Sequence, residues 1–150
     1  MTRANARELA VHLIYAQEFT GEAPAEVISL RLDAAYYAGL AEVHDIYAER
    51  PSKVQIAYLN TVVTGVVSRC EELNTTIQTF TIDWDVHRIS KLTRAIMQLA
   101  IFEILYMDDV PTGVAISEAV RIAKLYDGED TGAFVNGILG AFARSLPSGE

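Results

Sequence analysis

Few residues in this chain have the type and spacing for reaction chemistry. The three histidines, His12, His44 and His87, are scattered, and none lies three or four residues from another histidine or from the single cysteine, Cys70. One cysteine permits neither an intramolecular disulfide nor a thiolate metal site, and it fits a reducing compartment. The sequence has no glycine-rich phosphate loop, no nucleophile elbow and no metal-ligand pattern. Asp108-Asp109 is a carboxylate pair, but it falls at a helix end, where negative charge does not complement the dipole, so it reads as a solvated loop. Glu103 interrupts an apolar run, and a buried carboxylate needs a hydrogen-bonding or charged partner. With no second catalytic group beside it, Glu103 is expected to be structural. It would accept backbone N–H groups from the helix start after Pro111 or pair with an arginine. No catalytic residue, cofactor or metal is expected.

Binding chemistry has better candidates. Arg3 and Arg7 stand one helical turn apart near the amino terminus. Arg88, Lys91 and Arg94 follow at i, i+3 and i+6, and Arg121 and Lys124 repeat the first step of that spacing. Such stripes are usually solvated faces paired with nearby acids; otherwise they contact phosphate or a partner. Phe134 follows the polar corner Glu129-Asp130-Thr131, one step off the apolar stripe of the last helix. An exposed aromatic there can stack on an unpaired base, and core packing is the alternative. The net charge of −8 argues against a protein that holds nucleic acid by bulk electrostatics alone.

The elements that must position these residues all read as helices. Leu9, Leu13 and Ala16 give the first a stripe from near Thr2 to Phe19. Gly21 to Pro24 is a break, and Ala25 to Glu49 reads as one long or broken helix with an acidic face and its bend at Gly39. Pro51-Ser52 resets the chain, with Ser52 a fair N-cap. The next apolar period runs from Val54 through Arg69 to Phe80, with an irregularity near Asn74-Thr75. Asp85 can cap a central helix striped by Ile89, Leu92, Ile96 and Leu99, apolar nearly all round from Ile96 to Leu105. That helix must stop before Pro111. Ala115, Ala119, Ile122 and Tyr126 stripe the next one, which Asp127-Gly128 ends. Asp130 or Thr131 can cap the last helix, whose stripe is Val135, Ile138, Leu139, Phe142 and Leu146. Gly137 and Gly140 lie inside it, which suggests close approach of another helix. The fold class is all-α, with about seven helices in one domain over residues 1–150 and Ile96, Leu99, Ala100, Ile122, Val135 and Ile138 in the core.

The elements VP-x-x-VAI-x-EAV-x-x-AK-x-Y and ED-T-x-x-FVNG-I-L, spanning Val110 to Leu139, resemble the C-terminal signature of the NusB family of transcription antitermination factors. RAIMQLAIFEI, Arg94 to Ile104, resembles that family's central helix, and ARELAVHLIYAQ, Ala6 to Gln17, its first. The resemblance implies two roughly perpendicular three-helix bundles and a non-enzymatic adaptor. It implies a ribosomal small-subunit partner that doubles as NusE, single-stranded boxA RNA of ribosomal leaders, and RNA polymerase made resistant to termination. RNA contact would fall to Arg3, Arg7, Asp130 and Phe134, and partner contact to Tyr15, Leu92, Thr93 and Ile96. Departures are a first helix with only two arginines, Gln98 where the family often has Arg, Ser117 where it often has Asn, and a long acidic insertion. A NusB-like domain also fronts RNA cytosine methyltransferases, but 150 residues leave no room for their cofactor domain. A self-associating helical protein with no RNA role is the alternative, since some members of the family dimerise. Hydrophobic residues make up 51% of the chain, consistent with a generous core and a surface covered by a partner. No leader is evident and no apolar run is long enough to span a bilayer, so the expected location is cytoplasmic.

Overall fold

The computed structural model describes residues 1–82 and 84–147. Among these residues there are eight α-helices, two short 3-10 turns and no strand. They fall into two compact units, Met1–Ser68 and Arg69–Glu150.

The first unit holds α1 (Arg3–Thr20), α2 (Pro24–Arg31), α3 (Ala34–Leu40) and α4 (Lys53–Ser68). Thr2 caps α1 by accepting the Asn5 N–H, and Gly21 ends it in the left-handed conformation, with φ 68°. Leu9, Leu13, Leu59 and Val62 are fully buried where α1, α2 and α4 pack pairwise. The long or broken helix expected over residues 25–49 is broken into two helices and a 3-10 turn, Asp45–Ala48. The break is at Leu32-Asp33, because the Asp33 side chain accepts the Tyr36 N–H and starts a new helix; Gly39 lies inside α3. Tyr37 anchors this segment. It is 1% exposed and donates its hydroxyl to the Glu49 carbonyl at 2.7 Å, and burial pushes its pKa up to about 12. Ser52 does cap α4, through a reciprocal box in which Ser52 Oγ accepts the Gln55 N–H and Gln55 Oε1 accepts the Ser52 N–H.

The second unit holds α5 (Cys70–Phe80), α6 (Lys91–Tyr106), α7 (Thr112–Asp127) and α8 (Glu129–Ser145). The irregularity expected near Asn74-Thr75 is instead at Arg69, which separates α4 from α5. Asp85 caps the 3-10 turn Val86–Arg88, and Ser90 caps α6 by accepting the Thr93 N–H. The central helix is as enclosed as its composition requires, with every residue from Thr93 to Glu103 buried. All six residues expected in the core are buried. Gln98 is held by its amide, which donates to Asn74 Oδ1 at 2.8 Å. Glu103 is fully buried and is not without a partner. Asp108 and Asp109 are exposed in the turn before Pro111.

The α7–α8 corner departs from expectation in two ways. The cap of α8 is Gly128, with φ 92°, and neither Asp130 nor Thr131, which both lie in the first turn. The close approach expected at Gly137 and Gly140 occurs instead at Gly132, where an added Cβ would stand 2.5 Å from Lys124 Cγ. Gly137 faces open space, and at Gly140 the nearest atom is the tip of Arg144.

Candidate nucleic-acid interface

The corner between α7 and α8, together with the segment leading into α6, encloses an open cavity of about 350 Å³. Asp127, Asp130, Thr131 and Phe134 contribute from the corner, and Trp84, Arg88 and Thr93 from the α6 side. Each is placed by its local sequence. Gly128 takes a positive φ that other residues rarely adopt, so α7 ends and α8 begins within one residue. Asp130 and Phe134 then fall one turn apart on the start of α8. Thr131 donates its hydroxyl to Asp127 Oδ2 at 2.8 Å, tying the two helix ends together. On the opposite side, Gln78 fixes the 84–86 segment by donating to the Trp84 carbonyl and accepting the Val86 N–H, each at 2.8 Å.

Two aromatic side chains of this cavity meet solvent: Trp84 is 52% exposed and Phe134 36%. Exposed aromatic faces stack on unpaired bases with little regard to sequence. Arg88 brings an exposed guanidinium suited to phosphate, and Asp127 and Asp130 bring carboxylate oxygens that accept from exocyclic amino groups. The two rings offer flat apolar faces to a planar group, with one guanidinium and two carboxylates at its edges.

The two expected RNA residues of the second unit, Asp130 and Phe134, are thus brought together at one cavity. Trp84, the sole tryptophan of the sequence, lines the same cavity, and its place in a polar stretch between helices is a signal readable from the sequence. Its neighbour Asp83 lies outside the described residues. The basic stripe Arg88–Lys91–Arg94 is not continuous, because α6 begins only at Lys91; Arg88 is exposed and Arg94 is 7% exposed. Arg121 is committed to Glu118 at 3.0 Å, and Lys124 lies 3.5 Å from Glu129.

In the first unit Arg3 is exposed, with its guanidinium 5.8 Å from the centre of the Tyr58 ring. Arg7 is only 4% exposed and lies on the buried side of α1 with Ala6 and Leu9. Tyr15 is half-buried with its ring against the exposed Phe19, centroids 4.8 Å apart. In the second unit, Leu92 is half-buried, whereas Thr93 and Ile96 are buried. Thr93 is engaged with the Ser90 cap, and Ile96 is core.

The NusB family model matches residues 4–144. The chain belongs to the NusB family. A curated relative, transcription antitermination protein NusB of Acetivibrio thermocellus, is 40% identical over 140 residues, covering 93% of this chain and 87% of the relative. The solved NusB of T. maritima superposes with a TM-score of 0.70 at 28% identity, covering 97% of this chain and 93% of that one. A crystal structure of the antitermination factors NusB and NusE in complex with dsRNA superposes with a TM-score of 0.75 over 96% of this chain and 97% of that one; at 23% identity this speaks to the fold alone. The eight helices described above are therefore a NusB fold, and its α7–α8 corner carries the cavity. No helix among the described residues is long and apolar enough to cross a membrane.

Proposed function

We propose that this protein is a transcription antitermination factor that works as a non-enzymatic adaptor. It binds unpaired RNA of the boxA type at the Trp84–Phe134 cavity and pairs with a NusE-type ribosomal protein. The pair acts within the RNA polymerase antitermination complex in the cytoplasm. The observation that carries this reading is the placement of two exposed aromatics, one exposed arginine and two carboxylates around one cavity of a NusB-family chain.

Electrostatics give the partner a necessary part. The chain carries a net charge of −8, and of the two amino-terminal arginines only Arg3 is exposed. Each neutralised phosphate of a single strand contributes about 0.7 to the salt slope of binding, so a lone protein with Arg3 and Arg88 binds weakly and with a shallow slope. The ribosomal partner, usually basic in this family, supplies the missing positive charge. The crystal structure of NusB and NusE in complex with dsRNA holds both proteins of such a pair and RNA in one assembly. Partner contact is assigned to Tyr15 and Leu92, the half-buried members of the expected set.

The test is a titration of labelled boxA-like single-stranded RNA with the protein alone and with its partner. Binding appreciable only in the complex supports the adaptor. An absence of RNA binding from both, with self-association of the protein, would establish the structural alternative that its acidity favours.

A further inference from the structure

We propose that Glu8, His12 and His44 form a binding site for a divalent transition-metal ion in the first unit, separate from the RNA-binding reading. One ligand atom of each residue lies within 4.8 Å of the others. Glu8 and His12 are one turn apart on α1, the i, i+4 spacing that directs two ligands to one side of a helix. His44 comes from the segment between α3 and the 3-10 turn, with its Nε2 4.0 Å from Glu8 Oε2. Two imidazoles and one carboxylate are the protein donors of many open zinc sites and of the facial triad of non-haem iron, in which water or another ligand completes the shell. Imidazole nitrogen selects zinc, nickel or copper over magnesium and calcium.

The surroundings suit that assignment. Glu8 is 4% exposed and offers its carboxylate beside both histidines in an enclosed place. His12 Nδ1 lies 2.9 Å from the Tyr47 hydroxyl, which accepts from Arg31 at 3.0 Å. Coordination through His12 Nε2 leaves the proton on Nδ1, which then donates to the Tyr47 oxygen, the outer-shell bond that orients a ligating histidine.

Two adjustments are required. Metal–ligand bonds of about 2.0–2.2 Å place donor atoms about 3–3.5 Å apart, so the cluster must contract. His44 Nδ1 accepts the Ile46 N–H at 3.1 Å; coordination through Nε2 moves the ring proton to Nδ1 and gives up that bond. His44, whose side chain is 35% exposed, is the ligand placed to make both changes. Metal binding therefore draws the segment before the 3-10 turn onto α1 and alters the start of that turn.

The experiment uses the full chain with Cys70→Ser, which removes the exposed thiol of the second unit as a competing ligand. The protein is stripped with chelator and titrated with Zn²⁺ against a chromophoric competitor, with Mg²⁺ as a control. The expected result is one equivalent bound at micromolar or tighter affinity, no response to Mg²⁺, and a rise in melting temperature with Zn²⁺. Co²⁺ should give visible absorption bands. His44→Gln, at a part-exposed position that does not threaten the fold, and His12→Gln should each weaken binding at least tenfold. Tyr47→Phe should weaken it less. Absence of stoichiometric binding below about 100 µM Zn²⁺, or one equivalent held equally well by both histidine variants, would overturn the proposal. Neither outcome bears on the RNA titration, so the two readings fail separately.

Discussion

Trp84 and Phe134 line one cavity although Trp84 precedes α6 and Phe134 stands in the first turn of α8. Both are exposed, so neither is needed to fill the core. Replacing either with alanine should cost about 1–3 kcal/mol of RNA binding through lost stacking. The melting temperature should move little, because exposed side chains contribute little to stability. Anisotropy titrations of the partner complex, paired with thermal melts, check both halves. A large loss of stability with unchanged RNA affinity would mean that these rings are structural.

Arg3 and Arg7 should separate in their effects despite being one turn apart. Arg3→Ala should lower the salt slope of RNA binding by about 0.7 and leave the fold intact. Arg7→Ala should lower the melting temperature, since it removes a side chain that is 4% exposed and not without a partner. The reverse pattern would place the RNA-facing arginine one turn further along α1.

Two glycines of α8 should respond with opposite sign. Gly137 faces open space, so Gly137→Ala should stabilise by up to about 1 kcal/mol through helix propensity. At Gly132 a new Cβ meets Lys124 Cγ at 2.5 Å, near the backbone end of that side chain, so Lys124 must leave its rotamer or α7 and α8 must part. Overpacking of this kind costs about 1–3 kcal/mol, more than the propensity gain returns. Denaturant midpoints of the two variants decide it. Stabilisation by both would mean that Lys124 moves aside freely.

Glu103 and Leu99 test the central helix. Leu99→Ala should cost about 2–5 kcal/mol, given 2% exposure. Glu103→Gln, which keeps the shape and one acceptor, should melt higher than Glu103→Ala. Equal losses would show that the carboxylate contributes only its volume.

Much of this was legible in the sequence because helical period is a strong signal where it is uninterrupted. The stripes of α1, α6, α7 and α8 placed their buried faces correctly, and the glycine after Asp127 placed the corner that carries the cavity. The segment 25–49 breaks at Leu32-Asp33 and again after Leu40 rather than at Gly39, because side-chain caps at Asp33 and His44 start new turns where its apolar residues alone suit a continuous helix. The irregularity placed near Asn74 was displaced because Arg69 leaves helical geometry without glycine or proline to mark it. The candidate site was half legible. Asp130 and Phe134 share one local turn, but their pairing with Trp84 depends on how α6 and α8 pack, which no local pattern records. The spacing of the histidines along the chain does not record that His44 comes beside Glu8 and His12, which happens only in the folded unit.

The central claim is that this cavity holds unpaired RNA when the protein is joined to its ribosomal partner. The most direct measurement is the affinity of that complex for a boxA-like single strand, with the wild-type chain and with Trp84→Ala combined with Phe134→Ala. The wild-type complex should bind well above the level of either protein alone. The double variant should form the same complex and lose most of that affinity. A double variant that binds RNA as tightly as wild type would contradict the account.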